Sequence, residues 1–218
     1  MIRDFALPDV TFMLLATRWT IALAIVSFLG GSVIGIVIAL MRISGNPILR
    51  WLAIVFIRVN QGTPLLLQLF IVFFGAEMVG IPMTPFAAAI LALSINAGAF
   101  LGDIWRGSIQ SVPRGQSEAA RALGLGYFAR MRDIIIPQAV RIAIPPTVGF
   151  MVHHIKSTSL AAIIGFVELT RAGHLINATV FEPFLVFGIV AGIYFLLCWP
   201  LTVASRRLEV RLAQPYHR

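Results

Sequence analysis

The chain has 218 residues, 59% of them hydrophobic and only 12% charged, with a mean hydropathy of +0.91. Soluble domains carry about 25% charge and disordered chains need low hydrophobicity. Both classes are excluded in favour of one membrane domain, with no room for a second folded domain. The net charge of +8 points to no nucleic-acid partner, because the arginines flank long apolar runs instead of forming a basic tract. The single cysteine, Cys198, lies in an apolar run without a disulfide partner or metal-ligand spacing. No metal site is expected.

One membrane helix needs about 20 apolar residues. Five stretches qualify in chain order: 19–41 with no charge, 51–76 interrupted by Arg58, 78–102 with no charge, 142–167 containing His153, His154 and Lys156, and 183–205 with no charge. The expected fold is an all-α integral membrane protein with five transmembrane helices. Asp4 and Asp9 precede the first stretch, so it reads as a retained span and not a signal peptide. Twelve arginines (42, 50, 106, 114, 121, 130, 132, 141, 206, 207, 211 and 218) fall on one side of this arrangement and three (3, 18 and 171) on the other. The positive-inside rule then predicts an outside N-terminus, a cytoplasmic C-terminus and a cytoplasmic 103–141 loop.

That loop is the longest connection. Ser117 is placed to cap a short helix whose positive end suits Glu118. Gly124 and Gly126 permit a turn, and a second short helix over 127–136 is expected to end at Pro137. Small Ala119, Ala120 and Ala122 allow a close approach to a partner, and Glu118 and Arg121 can pair across an interface rim. A helix lying on lipid would instead want large apolar residues on one face.

Glu118-Ala119-Ala120-Arg121-Ala122-Leu123-Gly124, followed by Ile134-Ile135-Ile136-Pro137, resembles the EAA loop of ABC importer permeases: EAA, three residues, Gly, nine residues, Ile-x-Leu-Pro. Only Ile136 departs, standing in place of Leu. Gln61-Gly62-Thr63-Pro64, Asp103-Ile104-Trp105-Arg106-Gly107, Lys156-Ser157-Thr158-Ser159-Leu160 and Val167-Glu168-Leu169 narrow the resemblance to the polar amino acid permeases of the histidine/glutamine/glutamate type, over roughly residues 15 to 210. The family usually has Arg at Gln61 and Glu at Asp103.

The resemblance implies a type I ABC importer permease in the bacterial cytoplasmic (inner) membrane. It implies a second permease subunit, identical or paralogous, ABC ATPase subunits beneath, and an extracytoplasmic binding protein that delivers an amino acid. Glu118, Ala119, Ala120, Arg121, Leu123 and Gly124 would couple to the ATPase. This chain would bind no cofactor, with ATP and Mg on the partner. The residues agree on that point: the only lysine, Lys156, follows Ile155, so there is no phosphate-binding Gly-Lys-Ser/Thr loop. The permease would be a non-catalytic subunit. An ATP-independent channel or ion-coupled carrier is the rival reading, and it gives the 103–141 loop no reason to match.

Polar groups at membrane depth usually face a cavity or a partner. Asn96, Asp103, His153, His154, Lys156, Ser157, Thr158 and Ser159 are therefore candidates for the substrate path, with helix-to-helix bonding as the alternative for each. His153 and His154 are adjacent and must point in different directions. Arg58 reads as snorkelling to the interface, and Asp103 and Arg106 as an ion pair one turn apart. Pro64 and Pro145-Pro146 are expected to break or kink their helices. Glu168, Arg171 and Glu182 are expected on the outer side, in solvent or against the binding protein.

Overall fold

The computed structural model describes residues 3–213, and every regular element among them is helical. Helix α1 runs Leu7–Ile43, starting twelve residues before the expected span. Asp9 does not interrupt it. Its carboxylate accepts the Ala6 N–H at 3.0 Å and pairs with Arg3, where the positive helix end favours an acid. Pro8 in the first turn has no N–H to lose.

The expected span over 51–76 is not one straight helix. Helix α2 (Pro47–Gly62) opens on Asn46, whose side chain accepts the Ile48 N–H at 2.9 Å. Helix α3 (Leu65–Met78) leaves it at 102°. Thr63 is extended and Pro64 sits at the start of α3, so Pro64 does break the helix, as its sequence implies.

Helix α4 (Pro85–Gln110) starts later and ends later than the expected 78–102, with Thr84 capping Ala87 at 3.2 Å. Helices α5 (Arg114–Ala122) and α6 (Tyr127–Arg130) follow. A π-helical turn at Met131–Ile135 then passes into α7 (Ile136–Ser157), which ends in a 3-10 segment at Thr158–Ala162. The 103–141 segment is thus helical at both ends, and only 111–126 lies between α4 and α6.

Pro137 does not end a helix. A proline ring in a regular helix clashes with the carbonyl four residues back, but the chain is locally wider here: Ile136 N–H bonds to Met131 O, five residues back. Gln138 Nε2 donates to Ile134 O at 2.8 Å. The helix also continues through Pro145-Pro146, where Ser205 Oγ donates to Pro145 O at 3.0 Å. The carbonyls that these prolines leave without a donor are those of Arg141 and Ile142, so the Ser205 bond fastens a neighbouring segment to this turn and does not repair the ladder.

Two further helices follow among the described residues: α8 (Leu169–Val180), which was not expected, and α9 (Pro183–Ala213), which outruns the expected 183–205. Glu168 is not solvated. It is fully buried and caps α8 by accepting Arg171 N–H at 2.9 Å. It also takes hydrogen bonds from Tyr194 Oη at 2.9 Å and Thr20 Oγ1 at 3.4 Å. Arg218 lies outside the described residues.

Among the described residues, four helices are long and apolar enough to cross a membrane, and the bent α2–α3 pair makes a fifth candidate. Helices α1 and α4 run parallel at close quarters, since Gly31 faces Ala97 and Gly98 while Gly35 faces Leu101 and Gly102. Small residues four apart on each helix let the backbones approach, as in membrane helix pairs generally. Helix α7 is antiparallel to α9, with Pro145 opposite Ser205 and Ile155 packed with Cys198. Helix α3 closes the other end of α4 through Leu69, Ala88, Ala89, Ala92 and Leu93.

Candidate functional site

Three groupings of polar side chains stand out on this scaffold. The first is the α2–α3 elbow. In an unbroken helix Asn60 O would accept the N–H of residue 64, but Pro64 has none. Gln68 Nε2 supplies the missing donor, at 2.8 Å to Asn60 O, 2.8 Å to Thr63 Oγ1 and 3.2 Å to Thr63 O. Its Oε1 accepts from Asn96 Nδ2 at 3.3 Å. One side chain therefore satisfies the break and ties it to α4. Asn96 was a path candidate; Gln68 was not, although a polar residue four positions after a mid-span proline was a signal for it.

Gln68→Leu removes the donor to Asn60 O and the acceptor of Asn96 Nδ2, both part-buried, at about 1–3 kcal/mol for a buried unsatisfied group. A Tm lower by roughly 5 °C is expected for the detergent-solubilised protein in a thermal unfolding scan. Gln61→Leu, at an exposed position in the same elbow, is expected to leave the Tm in place.

The second grouping is the end of α7. His154 is buried between α1 and α7, with Nε2 at 2.8 Å from Ser27 Oγ. Thr158 is fully buried and donates to Ile155 O at 2.7 Å. Both bond within the fold. His153 and Lys156 are exposed and lie three residues apart on one face, with His153 beside the rings of Phe100 and Phe150. Ser157 and Ser159 are half-buried and donate to His153 O at 3.0 Å and Lys156 O at 2.7 Å. These backbone bonds accompany the change from α to 3-10 geometry at Thr158. The structure thus separates the cluster into an inward pair (His154, Thr158) and a face presented outward (His153, Lys156). Asn96 belongs to the elbow, and Asp103 to neither: it accepts from Arg106 Nε at 3.0 Å and Nη2 at 2.9 Å.

The third is α5. Ser117 is not a cap; the helix starts three residues before it, at Arg114. Its end is a Schellman closure: Leu125 N–H bonds to Ala120 O at 3.0 Å and Gly124 N–H to Arg121 O at 2.9 Å. Gly124 takes φ +79°, which its missing Cβ permits. Ala120 is buried at 1% exposure, whereas Glu118, Ala119, Arg121 and Gly124 are exposed and Leu123 reaches 79%. Behind α5, Val112, Ile135 and Ala139 form a small core with Ile109, Met131, Ile134 and Ile142. Gln138 Nε2 donates to Gln116 Oε1 at 3.4 Å. The helix is held from behind and bare in front.

Residues 31–214 match the family described as "Binding-protein-dependent transport system inner membrane component". The chain belongs to that family. It is 36% identical over 208 residues to the probable amino-acid ABC transporter permease protein YckA of Bacillus subtilis, covering 95% of this chain and 92% of that one. It is 39% identical over 195 residues to the L-cystine transport system permease protein TcyB of the same organism, covering 89% and 83%. Identity to the glutamine transport system permease protein GlnP of Escherichia coli is 34% over 207 residues, covering 94% of each. Among solved structures, a chain from an amino acid ABC transporter crystallised with histidines superposes with a TM-score of 0.90 at 32% identity, covering 97% of this chain and 100% of that one. A chain of the MetNI methionine transporter in an inward-facing conformation, at 19% identity and TM-score 0.79, shares the fold. A family member of this kind is a multi-pass permease component and not an enzyme.

Proposed function

We propose that this chain is the membrane-spanning subunit of an ATP-driven importer that moves a polar amino acid across the bacterial cytoplasmic membrane by alternating access. ATP and Mg bind a separate ATPase subunit, and an extracytoplasmic binding protein delivers the substrate. The observation that carries this reading is α5, with Ala120 turned inward and Glu118, Ala119, Arg121, Leu123 and Gly124 left uncovered. Small side chains and one protruding leucine suit a groove on a protein better than a lipid surface, which selects larger apolar faces. The names of YckA, TcyB and GlnP agree on amino-acid transport. The 103–141 side is then cytoplasmic, and the N-terminus outside.

A second permease subunit is part of the proposal. Lys156 and His153 are exposed near the end of α7, and an ionisable side chain within a membrane span is costly against lipid. A shared, water-accessible path between two permeases removes that cost. Lys156 would meet the substrate carboxylate, with His153, Ser157, Ser159 and Asn96 as further path residues. His154 and Thr158 would shape the path from behind.

Pull-down of the tagged full-length chain in mild detergent, after crosslinking through residues 117–124, tests the reading. An ATPase subunit together with a second permease chain is the expected catch. A chain that comes out alone, and that supports ATP-independent uptake in vesicles, would overturn it in favour of the channel or carrier.

A further inference from the structure

Where the end of α1 meets the middle of α2 and the C-terminal part of α4, a cavity of about 170 Å³ is lined by Arg42, Ile54, Ile57, Arg58 and Asp103. Its charges do not balance. Asp103 is its one carboxylate, and Arg106 of the same helix already holds it through two donors. Neither Arg42 nor Arg58 has an ion-pair partner among the described residues. The Nε of Arg42 is buried and has no hydrogen-bond partner among the described residues. Three guanidinium groups therefore stand against one carboxylate, and two of them lack an anion. A buried unpaired donor on a charged group is costly, so the site calls for a ligand rich in acceptor oxygens.

The setting of the cavity selects the source. Its walls between the arginines are Ile54 and Ile57. Arg58 lies two turns after Trp51 on α2 and so shares its face, and Trp51, Leu52, Val55 and Val59 are exposed apolar residues. Arg42 and Arg50 flank the α1–α2 turn, and Trp residues collect at membrane–water interfaces. The cavity's two free arginines thus stand beside an exposed apolar face, near the turn where Arg and Trp mark the headgroup level. We propose that this cavity binds the phosphate of an anionic phospholipid, held between Arg42 and Arg58 with its acyl chains along the exposed face of α2. Guanidinium groups match phosphate oxygens in bidentate geometry. The bound lipid would pin the middle of α2 against α1 and α4, ahead of the elbow at Pro64.

Native mass spectrometry of the delipidated full-length chain tests this, with dioleoyl phosphatidylglycerol titrated against dioleoyl phosphatidylcholine. Wild-type protein is expected to retain phosphatidylglycerol preferentially. R42Q/R58Q removes both guanidinium–phosphate contacts and should weaken that retention at least about tenfold. R206Q/R207Q, which removes the same charge elsewhere, should leave it unchanged. Should the double variant fold poorly, D103N supplies the opposite sign: removing the competing carboxylate should strengthen phosphatidylglycerol retention severalfold. Equal retention by wild type and R42Q/R58Q, weaker retention by D103N, or equal loss in R206Q/R207Q would overturn the assignment. Displacement of the lipid by millimolar inorganic phosphate or by a free amino acid would also overturn it, pointing to a soluble anion or to the transported solute.

Discussion

Gly124→Trp is expected to abolish ATP-coupled uptake while the chain still inserts and still assembles with a second permease. Two costs fall on this one position. The backbone sits at φ +79°, a region that costs a residue with a Cβ roughly 1–2 kcal/mol. The turn itself depends on that geometry, because the bonds from Gly124 N–H to Arg121 O and from Leu125 N–H to Ala120 O both close there. The second cost is at the proposed interface. A Cβ on Gly124 would meet nothing within 4 Å in the isolated chain, so an indole there has room until a partner arrives, and then it stands between α5 and the groove. Substrate-stimulated ATPase activity of the reconstituted complex should fall at least tenfold, with membrane insertion and detergent elution unchanged. Gly124→Asn, whose side chain tolerates positive φ, should retain much of the activity. Full coupling in the Trp variant would remove α5 from the proposed ATPase contact.

Ala120 and Leu123 show how far the sequence could be read here. Their spacing within the EAA segment pointed to one docking helix, and in the structure Ala120 is turned in and Leu123 out. The start of that helix was missed because Ser117 is a good cap by type, while the chain begins the turn at Arg114 after Pro113. Pro137 misled for a related reason. Helix propensity assumes bonds four residues back, and the bond from Ile136 to Met131, five residues back, belongs to a π turn that composition does not announce. The first span was drawn too short because the uncharged stretch begins only after Arg18, whereas α1 runs through Arg18 from Leu7, with Asp9 capping its start through Arg3 and the Ala6 N–H. For the substrate-path candidates, residue type alone could not tell His153 from His154. Only the packing of α7 against α1 turns one into the fold beside Ser27 and leaves the other exposed. The same holds for Glu168, whose position after an apolar span suggested solvent, while Thr20 and Tyr194 enclose it.

The α1–α4 seam went unread, although its signal was plain: glycines four apart at 31 and 35, and again at 98 and 102. The largest stability loss is expected there. A Cβ placed on Gly98 would lie 2.6 Å from Ile34 Cβ and 3.3 Å from Gly31 O. The second of these is backbone, so a small rotation of Ile34 cannot clear the site. A Cβ on Gly102 meets the same arrangement one turn on, 2.8 Å from Ile38 Cβ and 3.2 Å from Gly35 O. Gly98→Ala should therefore act as overpacking, at about 1–3 kcal/mol. Gly98→Leu must push the two helices apart along their length, taking with them Ser94 and its 3.1 Å bond to Ser27 O beside His154. Less than a tenth of the wild-type yield is expected in the monodisperse fraction after detergent extraction. Gly107 provides the control on the same helix: a Cβ there meets nothing within 4 Å, so Gly107→Ala should be neutral or stabilising by about 0.5–1 kcal/mol, the ordinary gain of alanine over glycine in a helix. If Gly98→Leu and Gly107→Ala behave alike, close approach of α1 and α4 does not hold this fold together, and the membrane core must rest on the α4–α7 and α7–α9 contacts instead.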